Sequence, residues 1–396
     1  MFRANNWGHA WNPICGQTYG AYYPRQCPGG SSSGSAVAAD LGLAWATIGT
    51  EVDISPESLT IAIVLSRVVG QTAGSIVNPS EKNNIVGIKP TVGLTSRYLV
   101  VPVSAHQDTI GPMARTVKDA ASLLQAIMGT DANDFATLVS PFHERIPDYV
   151  ASCKVNGLEG KRIGIARNVI EQSQPDALYT IEEFEHAIFV MKQAGATVVE
   201  NTNFMAFSEW KERKYNPVTR ADFVSNIAEF FEKLERNPNN IDSIESLREF
   251  TRNHPAEDYP ARNTANWDVA IDNQLSSTCP EFKSLYQENL FLGGEGGILG
   301  ALERHCLDAI ALPTTVAFEI PALVGTPIIT VPLGAASADT PVTKETPDDV
   351  VEMAPGIPFG ISFLGAKWSE ETLIEIAYAF EQRTAVRQCL KRSIEP

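Results

Sequence analysis

The chain has 396 residues, 44% hydrophobic and 20% charged, which is enough to bury a large core as one α/β domain or two smaller ones. A formal net charge of −16 excludes a bulk electrostatic grip on nucleic acid, and no Lys/Arg cluster offers a local one; the first lysine is Lys82. Cys15, Cys27, Cys153, Cys279, Cys306 and Cys389 are scattered without CxxC or metal-type spacing, which argues against a disulfide scaffold or a zinc module.

The opening "MFRANNWGHAWNPICG" is polar and aromatic and lacks the charged-then-apolar pattern of a signal peptide. It reads like the middle of a domain. After "CPGGSSSGS" the small residues of "SAVAADLGLAWATIG", Ser35 to Gly49, predict a helix packed closely on a sheet. Next comes "GTEVDISPESLTIAIVLSRVVGQTAGSIVNPS", Gly49 to Ser80, in which the core-like run Leu59–Val69 interrupts two stretches rich in Gly, Thr and Ser. "NIVGIKPTVGLTSRYLVVPV" (84–103) reads as short strands between Gly and Pro turns. "TVKDAASLLQAIMG" is a marked helix: Thr116 and Asp119 form a capping box, Val117, Ala120, Leu124 and Ile127 form one stripe, and Gly129 ends it.

"GKRIGIA", the helix of "TIEEFEHAIFVMKQAG" and the strand "ATVVE" make a βαβ unit, the signal of a largely parallel sheet. Residues 204–280 are polar and helical. Strand signals return in "CLDAIALPTT", "TPIITVPLG" and "GIPFGISFLG", separated by the acidic "SADTPVTKETPDDVVEM", read as a surface loop; "SEETLIEIAYAFEQRT" is a closing helix. No apolar run reaches the roughly 20 residues that span a bilayer. The expectation is one α/β domain over 1–396, with a helical excursion at 204–280 and an atypical insertion at 52–71.

"CPGGSSSGSA" (27–36) has three readings. It could be a flexible linker, a phosphate loop, or a turn whose free backbone N–H groups at a helix start receive an anion or oxyanion. The ordered apolar helix that follows disfavours the linker, and the absence of GxxxxGK[ST] and GxGxxG disfavours the phosphate loop. No GxSxG elbow occurs, so a serine nucleophile here is not expected to use His9, His106, His143, His186, His254 or His305 as its base.

Together "PGGSSSGSAVAADLGLAWATIGTE", "TAGSIVNPS", "NIVGIKPTVGLTSRYLVVPVSAHQDTIGPMARTVKDAA" and "GTPIITVPLG…GIPFGISFLG" resemble the amidase signature family, in order over most of the chain. Within it the sequence is similar to fungal and plant amidases related to the A subunit of glutamyl-tRNA(Gln) amidotransferase. The resemblance implies a mixed β-sheet covered by helices on both sides and a Ser–cis-Ser–Lys triad. Ser75 would form the acyl-enzyme. Ser31, after a cis Gly30–Ser31 peptide, would relay the proton. The N–H groups of Thr72, Ala73, Gly74 and Ser75 would form the oxyanion hole, and Gly29, Gly30 and Ser32 would contact substrate. The resemblance implies hydrolysis of a small-molecule amide without metal or organic cofactor. It implies no nucleic acid contact, allows a homodimer, and favours the cytoplasm, with a targeting peptide upstream left open. The rivals are a glutaminase-type subunit of a tRNA-dependent amidotransferase and a non-catalytic pseudo-amidase.

Two departures qualify the match. Ser31 and Ser75 stand 44 positions apart (75 − 31), farther than in the family, and removing the 20 residues Val52–Gln71 restores the fluent "IGTETAGSIVNPS". Valine codons begin with GT and a glutamine codon can end in AG, so an in-frame retained intron accounts for the excess; a genuine inserted strand is the alternative. The family lysine lies well upstream of the bridging serine, whereas no lysine precedes Ser31 here. Lys82 and Lys89 follow the nucleophile, and Lys89 in "GIKPT" reads as a structural turn. The expectation is a chain short of its N-terminal part and nearly inactive as it stands. Val77 replaces the arginine that many members carry after "SI".

Overall fold

Residues with little or no side chain decide where the sheet and its helices meet. The computed structural model describes residue 3 and residues 9–51, 74–142, 145–173, 178–213, 216–274, 276–345 and 349–395; the insertion 52–71 lies outside them, as do Thr72 and Ala73. In chain order the strands are β1 (Trp11–Asn12), β2 (Gly16–Gln17), β3 (Ala46–Glu51), β4 (Val86–Lys89), β5 (Thr109–Ala114) and β6 (Arg162–Gly164). They continue with β7 (Thr197–Val199), β8 (Ala309–Pro313), β9 (Ile328–Ala335), β10 (Thr343–Glu345), β11 (Val350–Met353) and β12 (Pro358–Leu364). Eight of them form one mixed sheet in the order β3-β5-β4-β9-β12-β8-β6-β7.

The sheet is mixed rather than largely parallel. The βαβ unit forms as read, with β6 parallel to β7 and also to β8. The remaining pairings, β3 with β5, β5 with β4, β4 with β9, β9 with β12 and β12 with β8, are antiparallel. A local βαβ signal fixes the direction of its own strands and says nothing about strands brought in by longer connections.

Alternation along the strands sends two kinds of residue to the two faces. Gly87 and Gly360 face helix Val77–Lys82: an added Cβ would meet Ser80 Oγ at 2.3 Å or Glu81 Cβ at 3.1 Å. Their glycines let that short helix lie almost on the backbone. Ile361 and Phe363 lie on the opposite face, where the Phe363 ring meets Phe380 of helix Glu370–Thr384 edge-on at 5.8 Å. The main core, including Ile88, Ile329, Ile361, Phe363, Leu373 and Phe380, is fully buried. No helix among the described residues is long and apolar enough to cross a membrane.

Three local expectations change. The helix after the Gly/Ser block is Ser33–Asp40, half the span read from sequence. Gly42, at φ +77°, turns the chain, and the β-branched Thr47 and Ile48 then pair with Met113 and Pro112 in β3. The acidic stretch is a hairpin, β10 against β11, with Val350 and Val351 buried beneath its charged rim. Of the strands expected in 84–103 only β4 forms; the rest runs as turns. The helix at Val117–Ile127 forms as expected, with Thr116 Oγ1 accepting from the Asp119 N–H at 3.1 Å. Between 204 and 280 lie helices Phe207–Glu212, Pro217–Glu232, Ile244–Asn253 and Ala265–Asp272.

Candidate active site

Helix Val77–Lys82 is buried at every one of its six residues, five of them polar or proline. Such a helix must hydrogen-bond its side chains or lose stability. It does so by gripping the Gly/Ser turn. Asn78 Oδ1 accepts the Gly30 N–H at 3.1 Å, and Asn83 Nδ2 donates to the Pro28 carbonyl at 2.8 Å. Gln26 Nε2 donates to the Lys82 carbonyl at 2.7 Å. The turn leading to Ser31 is therefore fastened on both sides of Cys27.

The fit at the turn admits only glycine. Gly29 sits at φ +79°, and a Cβ on Gly30 would stand 2.9 Å from both Ser75 Cα and Pro79 Cδ. The Ser32 N–H donates to the Ser75 carbonyl at 3.3 Å. The two sequence-predicted serines are thus brought together: Ser75 is buried, Ser31 is exposed, and both line one cavity of about 1260 Å³ with Thr50 and Glu51. The Gly30–Ser31 peptide, expected to be cis, is trans; among the described residues the only cis bond is Tyr259–Pro260. A cis non-proline peptide costs about 3–4 kcal/mol, and here Gly29 in the left-handed region supplies the reversal without it.

Gly74, at φ +87°, turns on the ring of Phe318, where a Cβ would approach to 2.9 Å. Among the described residues neither the Gly74 nor the Ser75 N–H has an acceptor. Thr72 and Ala73, the other expected oxyanion donors, lie outside the described residues. Gly29, Gly30 and Ser32, expected to touch substrate, are not among the described residues that line the cavity. Ser32 instead braces the edge strand: its hydroxyl accepts the Thr50 N–H at 3.2 Å and donates to the Thr50 carbonyl at 3.3 Å.

The residue that sequence reasoning passed over is Glu51, the last residue of β3. Its Oε2 accepts the N–H groups of Ile76 at 2.7 Å and Val77 at 3.1 Å, so a buried carboxylate fixes the backbone just after Ser75. Burial raises its pKa, opposed by Lys89 and by those two N–H groups. Its place beside the Gly/Thr/Ser-rich turn was the available signal, an acid at the start of a short buried helix.

The two lysines after Ser75 divide sharply. Lys82 pairs with Glu352 at 2.9 Å; burial opposes its charge, but Glu352, Tyr179 and Glu81 outweigh it and raise the pKa, so Lys82 stays an ammonium. Lys89, read as part of a turn, ends β4 and is fully buried; desolvation brings it down to about 8 despite Glu51 and Glu370. At about 8 it is still mostly protonated at neutral pH; it does not line the cavity, and its Nζ donates to the Pro90 carbonyl at 3.4 Å.

The cavity is also lined by the apolar and aromatic side chains of Tyr98, Val101, Phe135, Phe223, Phe230 and Trp267. Arg97 braces it with a two-pronged grip on Asp134, at 2.8 and 2.7 Å.

Residues 63–374 match the Amidase family. A relative from Arthroderma benhamiae, provisionally named as an amidase, is 50% identical over 397 residues; these are 100% of this chain and 63% of that protein. The chain therefore spans less than two thirds of that relative's length. The A subunit of the glutamyl-tRNA(Gln) amidotransferase of Rubrobacter xylanophilus is 27% identical over 96% of this chain and 73% of its own. The native peptide amidase of Stenotrophomonas maltophilia superposes with a TM-score of 0.80 at 33% identity, covering 99% of this chain and 73% of that one.

Proposed function

The chain belongs to the amidase family, and from that premise we propose that it carries the acyl-transfer half of an amidohydrolase, with Ser75 as nucleophile and Ser31 as proton relay. The observation that carries this reading is the Gly30–Ser75 contact. It brings the two serines to line one cavity, and the Gly74 and Ser75 N–H groups, without acceptors among the described residues, are the donors we assign to the oxyanion. Attack by the Ser75 hydroxyl on the amide carbon forms a tetrahedral oxyanion. Collapse gives the acyl-enzyme and releases the amine, which needs a proton. Water then attacks the ester and restores Ser75.

Proton transfer is the weak link. Among the described residues, Lys82 is held as an ammonium by Glu352 and Lys89 stands off the cavity. An amide leaving group must be protonated, whereas a p-nitrophenyl ester expels a stable phenolate. The chain should therefore be acylated by a p-nitrophenyl ester much faster than it hydrolyses the matching anilide.

The test is to follow p-nitrophenolate release and locate the acyl group by peptide mapping. Acylation at Ser75, lost in Ser75→Ala and slowed at least tenfold in Ser31→Ala, is the expected result. Equal acylation in Ser75→Ala would overturn the assignment.

A further inference from the structure

The fold gathers three metal-binding side chains that lie far apart in sequence. His9 precedes the β1–β2 hairpin, Cys27 precedes the Pro28–Gly30 turn, and Glu352 lies in β11; one donor atom from each falls within 4.8 Å of the other two. His9 and Cys27 are buried. The Cys27 Sγ to His9 Nδ1 distance is 3.5 Å. Sulfur and nitrogen donors on one tetrahedral zinc ion, at about 2.3 and 2.0–2.1 Å from it, stand about 3.5 Å apart.

The third donor is also poised. Glu352 Oε1 pairs with Lys82, and its carboxylate also meets the Cys27 thiol, so the third donor already faces the first. The Glu352 side chain is 38% exposed, which opens a path for an ion and for a water in the fourth position. A thiolate, an imidazole and a carboxylate form a borderline-soft set that suits zinc and does not suit magnesium or calcium. Zn²⁺ with the Cys27 thiolate, neutral His9 and the Glu352 carboxylate sums to zero over its three ligands, and the Lys82 ammonium paired with Glu352 adds one positive charge beside them.

We propose that His9, Cys27 and Glu352 form a zinc site that ties three chain segments together behind the catalytic turn. The backbone supports such a tie. The Cys27 N–H donates to the Val351 carbonyl at 2.8 Å, and Val351 in turn donates to Arg25. Gln17 Nε2 donates to the His9 carbonyl at 2.6 Å, which holds the hairpin to the same place. Zinc binding transfers the Cys27 thiol proton to solvent, so affinity rises with pH. The ion would stiffen the segment that enters Ser31 without touching the cavity.

Cobalt(II) reports this geometry directly. The chelator-treated, full-length chain is titrated with Co²⁺ and then with Zn²⁺, following the near-ultraviolet thiolate-to-cobalt band and the visible bands of a tetrahedral ion. One equivalent of Co²⁺ should develop both, and Zn²⁺ should bleach them. Cys27→Ser should abolish the thiolate band. The triple variant Cys15→Ser, Cys306→Ser, Cys389→Ser removes the exposed thiols and should keep it. Should Cys27→Ser fail to fold, which far-ultraviolet circular dichroism would reveal, the wild-type spectrum and the triple variant decide alone. A wild type without a thiolate band, a band that survives in folded Cys27→Ser, or one lost in the triple variant would overturn the site.

Discussion

Around Ser75 the polar groups are buried and bonded to one another, whereas the helices from Phe207 to Gly293 hold together through small apolar clusters and ion pairs near the surface. Helix Val77–Lys82 has no exposed residue, and Asn78, Asn83 and Glu51 spend their side chains on backbone groups beside Ser31 and Ser75. In the helical excursion the Phe223, Ile227, Ile244, Trp267 and Ala270 cluster stands apart from the main core, with Arg248 and Arg252 meeting Asp268 beside it. A buried hydrogen-bonded network has few low-energy arrangements, so it positions; a small apolar cluster tolerates repacking, so it can vary. The cavity is lined from both, by Ser31 and Ser75 on the rigid side and by Phe223, Phe230 and Trp267 on the adaptable one.

Breaking the rigid side should cost most. Glu51→Ala leaves the Ile76 and Val77 N–H groups without acceptors and removes a carboxylate that Lys89 feels, for a loss of about 3 kcal/mol in urea unfolding. Ester acylation of Ser75 should fall more than tenfold. Glu51→Gln keeps one acceptor oxygen and should recover most of both. A loss under about 1 kcal/mol in Glu51→Ala would show that the turn holds without it.

On the adaptable side, Trp267→Ala removes a ring stacked with Phe223 at 6.2 Å. It should cost about 2 kcal/mol, below the range for a fully enclosed core aromatic, because Trp267 already borders open space. Small esters should acylate Ser75 at an unchanged rate, while esters with long acyl groups should show a changed KM. A drop in the small-ester rate as large as that of Glu51→Ala would erase the distinction between the two sides.

How much was legible in the sequence follows the same division. Ser31 and Ser75 could be named because the Gly/Ser and "GSI" blocks, each continuous in sequence, together resemble a known family. The helix at Val117–Ile127 announced itself through its cap and stripe. Glu51 and Lys89 were hidden because their meaning rests on partners from other strands, and an acid or lysine in isolation reads as solvated. The cysteine spacing offered no metal pattern because Cys27, His9 and Glu352 meet only through the fold. The hairpin β10–β11 was masked by its charges, since two buried valines give too short an alternation to read.

The junction between the regions supplies the smallest effect and the finest probe. Ser104 and His106 both bond Asp222 of helix Pro217–Glu232, and Ala105 donates to Asn226 of the same helix at 2.8 Å. Asp108 organises this loop by accepting the N–H groups of Val103 and Ser104 at 2.8 and 3.0 Å. Burial pushes its carboxyl up to about 7, against those N–H groups and Arg97. Raised above its unfolded value, the folded carboxyl binds more protons than the unfolded one between about pH 4 and pH 7. Stability must therefore fall as pH rises through that window, by up to about 1.4 kcal/mol per pH unit for one such group. Glu81 and Glu381, each also raised to about 7 chiefly by burial, add slopes of the same sign. Asp108→Asn keeps an oxygen to accept both N–H groups and removes one of these titrations. Urea midpoints measured from about pH 4.5 to about pH 7.5 should fall less steeply in the variant than in the wild type. Parallel curves would mean that the junction does not take up a proton and that the two regions meet through a fixed charge.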